Sequence, residues 1–111
     1  MLQGHVEGFP TVLLAELDSV SPALAKDLRN AGYNVLEAHD WTSALTFIRV
    51  HSRPIHVLLA NVCRKGVDAA AILKFRPDLH VLFISDTHIP NRDTLDPSSA
   101  LKAVGKLLSD N

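Results

Sequence analysis

The chain predicts an α/β domain built as a doubly wound parallel sheet, and three observations predict it. Short apolar runs of strand length alternate along the chain with amphipathic segments of helical period. The runs are rich in valine, isoleucine and leucine with almost no polar alternation, as strands covered on both faces are. The intervening segments open on helix-capping residues, so each pair of strands is joined by a crossover helix of the right-handed kind.

The first strand is Thr11-Val12-Leu13-Leu14-Ala15, after a lead-in over residues 1–10 that stops at Pro10. Ser21-Pro22 then starts a helix: serine caps, and proline at the first helical position sacrifices no bonded donor. Leu24, Leu28 and Ala31 give that helix its apolar face, and Gly32 stops it. Asn34 to Ala38 is the second strand. Asp40 caps the next helix, with Trp41, Ala44, Leu45 and Ile48 on one side until Ser52-Arg53-Pro54 ends it. Ile55 to Val62 is the most continuously apolar run and reads as the central strand, ending near the polar Asn61. Asp68 can cap a short helix through Ile72 and Phe75, closed by Pro77. His80 to Ser85 reads as a fourth buried strand. Residues 86–96 are polar, and Asp96-Pro97 opens a last helix whose Leu101, Val104, Leu107 and Leu108 form a core-facing stripe.

Composition narrows the function classes. A length of 111 residues suits one domain, taken here as 11–111. A hydrophobic content of 47% with 21% charged residues is globular, and a net charge of −1 gives no case for binding nucleic acid or an anionic membrane. The single Cys63 excludes an internal disulfide and fits a reducing compartment. No apolar run approaches the ~20 residues that span a bilayer, and the first residues lack signal-peptide character, so the expected location is cytoplasmic. The six histidines show neither i, i+4 pairing nor a cysteine partner, which argues against zinc. No Gly-rich phosphate loop occurs.

Four segments carry a resemblance. They are Thr11-Val12-Leu13-Leu14-Ala15-Glu16, the run Ala31-Gly32-Tyr33-Asn34-Val35-Leu36-Glu37-Ala38, the strand Val57-Leu58-Leu59-Ala60-Asn61-Val62, and Phe75-Arg76-Pro77-Asp78-Leu79-His80-Val81-Leu82-Phe83-Ile84-Ser85. In this order they resemble the receiver domain of two-component response regulators, over roughly residues 10–110. The resemblance implies a flavodoxin-like fold in which two acids after the first strand and a phosphoacceptor aspartate ending the third hold Mg²⁺ during phosphoryl transfer.

Against that pattern, Glu16 takes the first acidic position, Leu17 the second, with Asp18 adjacent, and Asn61 stands where the aspartate would be. A carboxamide is uncharged and a poor nucleophile, so an acyl phosphate is not expected there. Cys63 falls where a backbone carbonyl ligand would lie, and Ser85 matches the family's hydroxyl. Asp93 falls near the lysine position, and no Lys-Pro dipeptide occurs. The segment after Ser85 is too short for the usual fourth helix and fifth strand, so four strands are expected. These residues have plain structural readings too: Asn61 bonding a neighbouring loop, Glu16 and Asp18 a solvated turn.

The favoured expectation is a degenerate, non-enzymatic receiver without a cofactor, a module for protein–protein interaction in two-component signalling. A histidine kinase, a phosphotransfer protein or another regulator would be its partner. Two alternatives are a receiver that still takes phosphate with Mg²⁺ through Glu16 or Asp18, and a small flavodoxin-like ligand binder. Loss of the fifth strand would leave the fourth as an apolar edge, which predicts a homodimer through Val81, Phe83, Leu101, Val104 or Leu108. With fewer crowded carboxylates, Asn61→Asp is expected to lower the melting temperature or leave it unchanged without Mg²⁺.

Overall fold

A computed structural model describes residues 9–17, 21–61, 72, 74–84 and 97–109. Its elements are β1 (Thr11–Ala15), α1 (Ser21–Asn30), β2 (Asn34–Ala38), α2 (Trp41–Val50), β3 (Val57–Asn61), β4 (His80–Ile84) and α3 (Pro97–Ser109). The four strands form one parallel sheet in the order β2-β1-β3-β4, as a doubly wound fold requires.

Register explains the two layers of core. Leu14 of β1 lies opposite Glu37 of β2 and Leu59 of β3, and its neighbour Leu13 opposite Leu36 and Leu58. Successive side chains point to opposite faces. On one face Val12, Leu14, Val57 and Leu59 pack with α1 and α3 through Leu24, Leu28 and Val104. On the other, Leu13, Leu58 and Ala60 pack with Ala44 and Ile48 of α2. Val57, Leu58, Leu59 and Ala60 are all fully buried, so β3 is covered on both faces. Each leucine buried there is worth about 1.5–3 kcal/mol.

Helix ends follow local chemistry. Asp40 Oδ1 accepts from the Ser43 N–H at 2.7 Å and caps α2. Gly32, at φ +100°, ends α1 in a Schellman turn: the Gly32 N–H donates to Arg29 O at 3.0 Å and the Tyr33 N–H to Leu28 O at 3.1 Å.

Three expectations need correction. Ala31 is exposed in the turn after α1, and Ala25 takes its place in the core, because the helix has already ended at Asn30. The fourth strand is not buried throughout: His80 is exposed and Val81, Leu82 and Phe83 are half-buried, since β4 is the end strand in the sheet order. Phe75 lies in a turn and is 57% exposed, with the Arg49 guanidinium 5.8 Å from its ring centroid. Ile72 is helical, as expected; the rest of the 68–71 stretch and the segment 86–96 lie outside the described residues.

Candidate functional site

Open parallel sheets place their sites beyond the carboxyl ends of the strands, here Ala15 of β1, Ala38 of β2, Asn61 of β3 and Ile84 of β4. Glu16 follows β1 directly and has φ +58°, the left-handed region that a non-glycine residue enters at a cost of about 1–2 kcal/mol. Its backbone is held from two sides. The Glu16 N–H donates to Ala38 O at the end of β2 (3.0 Å), and Glu16 O accepts from Asn61 Nδ2 at the end of β3 (2.9 Å).

That second bond decides how Asn61 is used. A carbonyl can only accept, so the amide nitrogen of Asn61 must face it. A carboxylate in the same position would set oxygen against oxygen. The plain structural reading of Asn61, a bond to a neighbouring loop, is therefore realised, and it bridges β1 to β3.

Leu17, next to Glu16, is turned into the core. It is 1% exposed and belongs to the core with Leu24 and Leu14, where an isobutyl side chain gains most by leaving water. The structure thus brings Glu16 and Asn61 together and withdraws Leu17 from them. Asp18, Cys63 and Ser85 lie outside the described residues, and among the described residues no three His, Cys, Asp or Glu side chains form a group that could hold a metal ion. Asp40, just beyond β2, has its carboxyl held below the usual range, chiefly by the Ser43 backbone N–H and then by the Ser43 hydroxyl. Its carboxylate serves as the α2 cap.

Of the residues expected at an interface, Val104 is fully buried against the α1 side of the sheet and is core. It projects inward from the α3 stripe, so it offers no surface. Val81, Phe83, Leu101 and Leu108 are half-buried.

Side-chain bonds that sequence reasoning missed cluster at the opposite, amino end of the sheet. Asn34 Nδ2 donates to Phe9 O at 3.1 Å, and the Thr11 N–H donates to His56 Nδ1 at 3.0 Å. The Arg76 guanidinium donates to three carbonyls at the end of α2: Ile48 O at 2.8 Å, Arg53 O at 3.0 Å and His51 O. Among the described residues two cavities lie at this end. One of about 280 Å³ runs between Arg53, Phe75 and Leu79, and one of about 470 Å³ between His56, Asp78, His80 and Leu108. The only available signal was the polar residue next to each strand start, which names no partner.

The parallel β2-β1-β3-β4 sheet with α1 and α3 on one face and α2 on the other defines the class as a CheY-like, doubly wound α/β domain. Within that class its structural neighbours are receiver domains. The receiver domain of the hybrid histidine kinase CckA is 27% identical, with a TM-score of 0.63 over 89% of this chain and 98% of that one. A CheY-like receiver domain protein from Methanospirillum hungatei is 14% identical, with a TM-score of 0.69 over 93% and 96% of the two chains. A Burkholderia pseudomallei response regulator, whose structure carries a phosphorylated aspartic acid and a calcium ion, is 19% identical, with a TM-score of 0.57 over 87% of this chain and 54% of that one. No protein-family model and no curated protein sequence matches the chain. The chain has the receiver fold, and that fold is the one used in two-component signalling.

Proposed function

We propose that the chain is a pseudo-receiver: a non-enzymatic module that takes part in two-component signalling by binding other proteins and is not phosphorylated at the end of β3. The observation that carries this reading is the 2.9 Å bond from Asn61 Nδ2 to Glu16 O. The side chain at the phosphoacceptor position is an amide, and its nitrogen is engaged by backbone. With Leu17 in the core, the second acidic position contributes no charge, so Mg²⁺ has lost two of the carboxylates that would attract it. No cofactor is needed for this role.

Its partner would be a histidine kinase, a phosphotransfer protein or another regulator, met in the cytoplasm, with which the lone Cys63 is consistent. No helix among the described residues is long and apolar enough to cross a membrane. Self-association is part of the proposal: β4 ends the described sheet, and half-buried Val81, Phe83, Leu101 and Leu108 lie on β4 and α3. Light scattering from micromolar to hundred-micromolar protein should give a dimer mass; a constant monomer mass refutes that element.

The main test is incubation with acetyl phosphate, and separately beryllofluoride, each with Mg²⁺. Intact mass should stay unchanged and amide chemical shifts near Glu16 and Asn61 should not move. A stoichiometric, Mg²⁺-dependent phosphoryl adduct would overturn the proposal.

A further inference from the structure

His56 stands just before β3 and joins three strands at once. Its N–H donates to Thr11 O at 2.9 Å, its carbonyl accepts from the His80 N–H at 3.0 Å, and its ring Nδ1 accepts from the Thr11 N–H at 3.0 Å. The first two continue the parallel ladders into β1 and β4. The third does something a backbone carbonyl would ordinarily do. An imidazole side chain supplies the acceptor for the first amide of β1, one bond outside the β1–β3 register that begins at Val12 and Val57.

An acceptor nitrogen must be unprotonated, so this bond exists only with His56 neutral and its ring proton on Nε2. Protonation at Nδ1 turns the acceptor into a donor and sets two N–H groups against each other. We propose that His56 is a pH-sensitive stitch, which closes the amino end of the β1–β3 seam when neutral and releases it when protonated.

The surroundings fit such a device. His56 borders the cavity of about 470 Å³ at this end, so water and protons have access to its neighbourhood. The titratable groups sharing that cavity with His56 among the described residues are Asp78, just before β4, and His80, its first residue; α3 contributes only Leu108. The Asp78 carboxylate is the charged group that would favour a charged ring there, and His80 sets a second imidazole beside it. The sign is fixed by the bond: the native state holds the neutral ring, the unfolded chain accepts the proton more readily, and stability falls as pH drops through the ordinary histidine range near ~6.5.

The test follows the imidazole nitrogens of the full chain by ¹⁵N NMR from pH 8 to pH 5, together with hydrogen exchange of the Thr11 amide. Corrected for its intrinsic rate, Thr11 exchange should rise about fivefold in step with protonation of His56, the loss of one ordinary hydrogen bond. The Asn34 amide, bonded to Pro10 O at 2.9 Å on the other side of β1, should not follow it. His56→Asn keeps an acceptor oxygen near the place of Nδ1 and does not titrate, so it should abolish the step. Flat Thr11 exchange across the His56 titration overturns the proposal, as does an undiminished step in His56→Asn. Should that variant fail to fold, the wild-type titration alone decides.

Discussion

At the carboxyl end of the sheet the described side-chain tie between strands is Asn61 to Glu16, whereas at the amino end Asn34, His56 and Arg76 all reach backbone groups. In the receiver fold the carboxyl end is where phosphoryl chemistry would be expected; here Asn61, ending β3, bonds the backbone of Glu16. At the amino end, where no chemistry is expected, the described side-chain bonds and the two described cavities surround the strand starts and the end of α2. The comparison teaches that Asn61, at a strand end where open parallel sheets place their sites, does the same kind of work as the side chains at the strand starts: it ties backbone groups together.

The amino end breaks most readily at Arg76. Its guanidinium serves three carbonyls in and just beyond the last turn of α2, so Arg76→Ala should lower unfolding free energy by about 2–3 kcal/mol in urea. Arg76→Lys should recover little of this, because a single ammonium cannot span a planar fork. An Arg76→Ala variant within ~0.5 kcal/mol of wild type would mean the cluster is ornamental.

At the carboxyl end, Asn61→Asp should cost about 1–2 kcal/mol at pH 7 without Mg²⁺, since a carboxylate oxygen then faces Glu16 O. The neutral acid can donate its O–H to that carbonyl, which raises the folded pKa of the new aspartate above its unfolded value. The loss should therefore shrink as pH falls through that raised pKa, measured as the wild-type-minus-variant difference in urea midpoint. A variant more stable than wild type at pH 7 contradicts a stabilising role for the Asn61–Glu16 bond.

A smaller effect of opposite sign is expected at Gly105 within α3. A Cβ there would sit 3.5 Å from the Tyr33 hydroxyl, ordinary contact, so Gly105→Ala should add about 0.5–1 kcal/mol by thermal melting. A loss would show that α3 packs more tightly on Tyr33 than this distance allows.

The smallest effect concerns the other end of the helix that Arg76 closes. Asp40 is held below the usual carboxylate range by the Ser43 N–H and hydroxyl, so its contribution is present above its unfolded pKa and lost as pH falls through the lower folded value. Asp40→Asn keeps a capping oxygen. It should leave the melting temperature at pH 7 nearly unchanged and flatten its fall in acid.

Local features were legible in the sequence. The Asp40 cap, the Gly32 stop, the strand cores from Val12 to Leu14 and Val57 to Ala60, and the last helix from Pro97 all rest on residues within a few positions of one another. Leu17 was read by its place after the first strand; its packing against Leu24 is a contact that place does not announce. Arg76 and His56 carried no warning, because their acceptors and donors lie 23 to 45 residues away and no period or cap announces such a bond. For the same reason Asn61 could be set against the receiver pattern but not assigned Glu16 O as its partner.

The two side-chain bonds along the β1–β3 seam, Thr11 to His56 and Asn61 to Glu16, each span 45 residues of chain. Neither can form until the whole βαβα stretch between them has closed, and loop closure of that size is rewarded only late in folding. They should therefore be largely absent from the transition state. Weakening either should steepen escape from the native basin while leaving the refolding limb of a chevron almost unmoved. The seam would then act as a kinetic fastener, setting how long the domain stays folded more than how quickly it gets there.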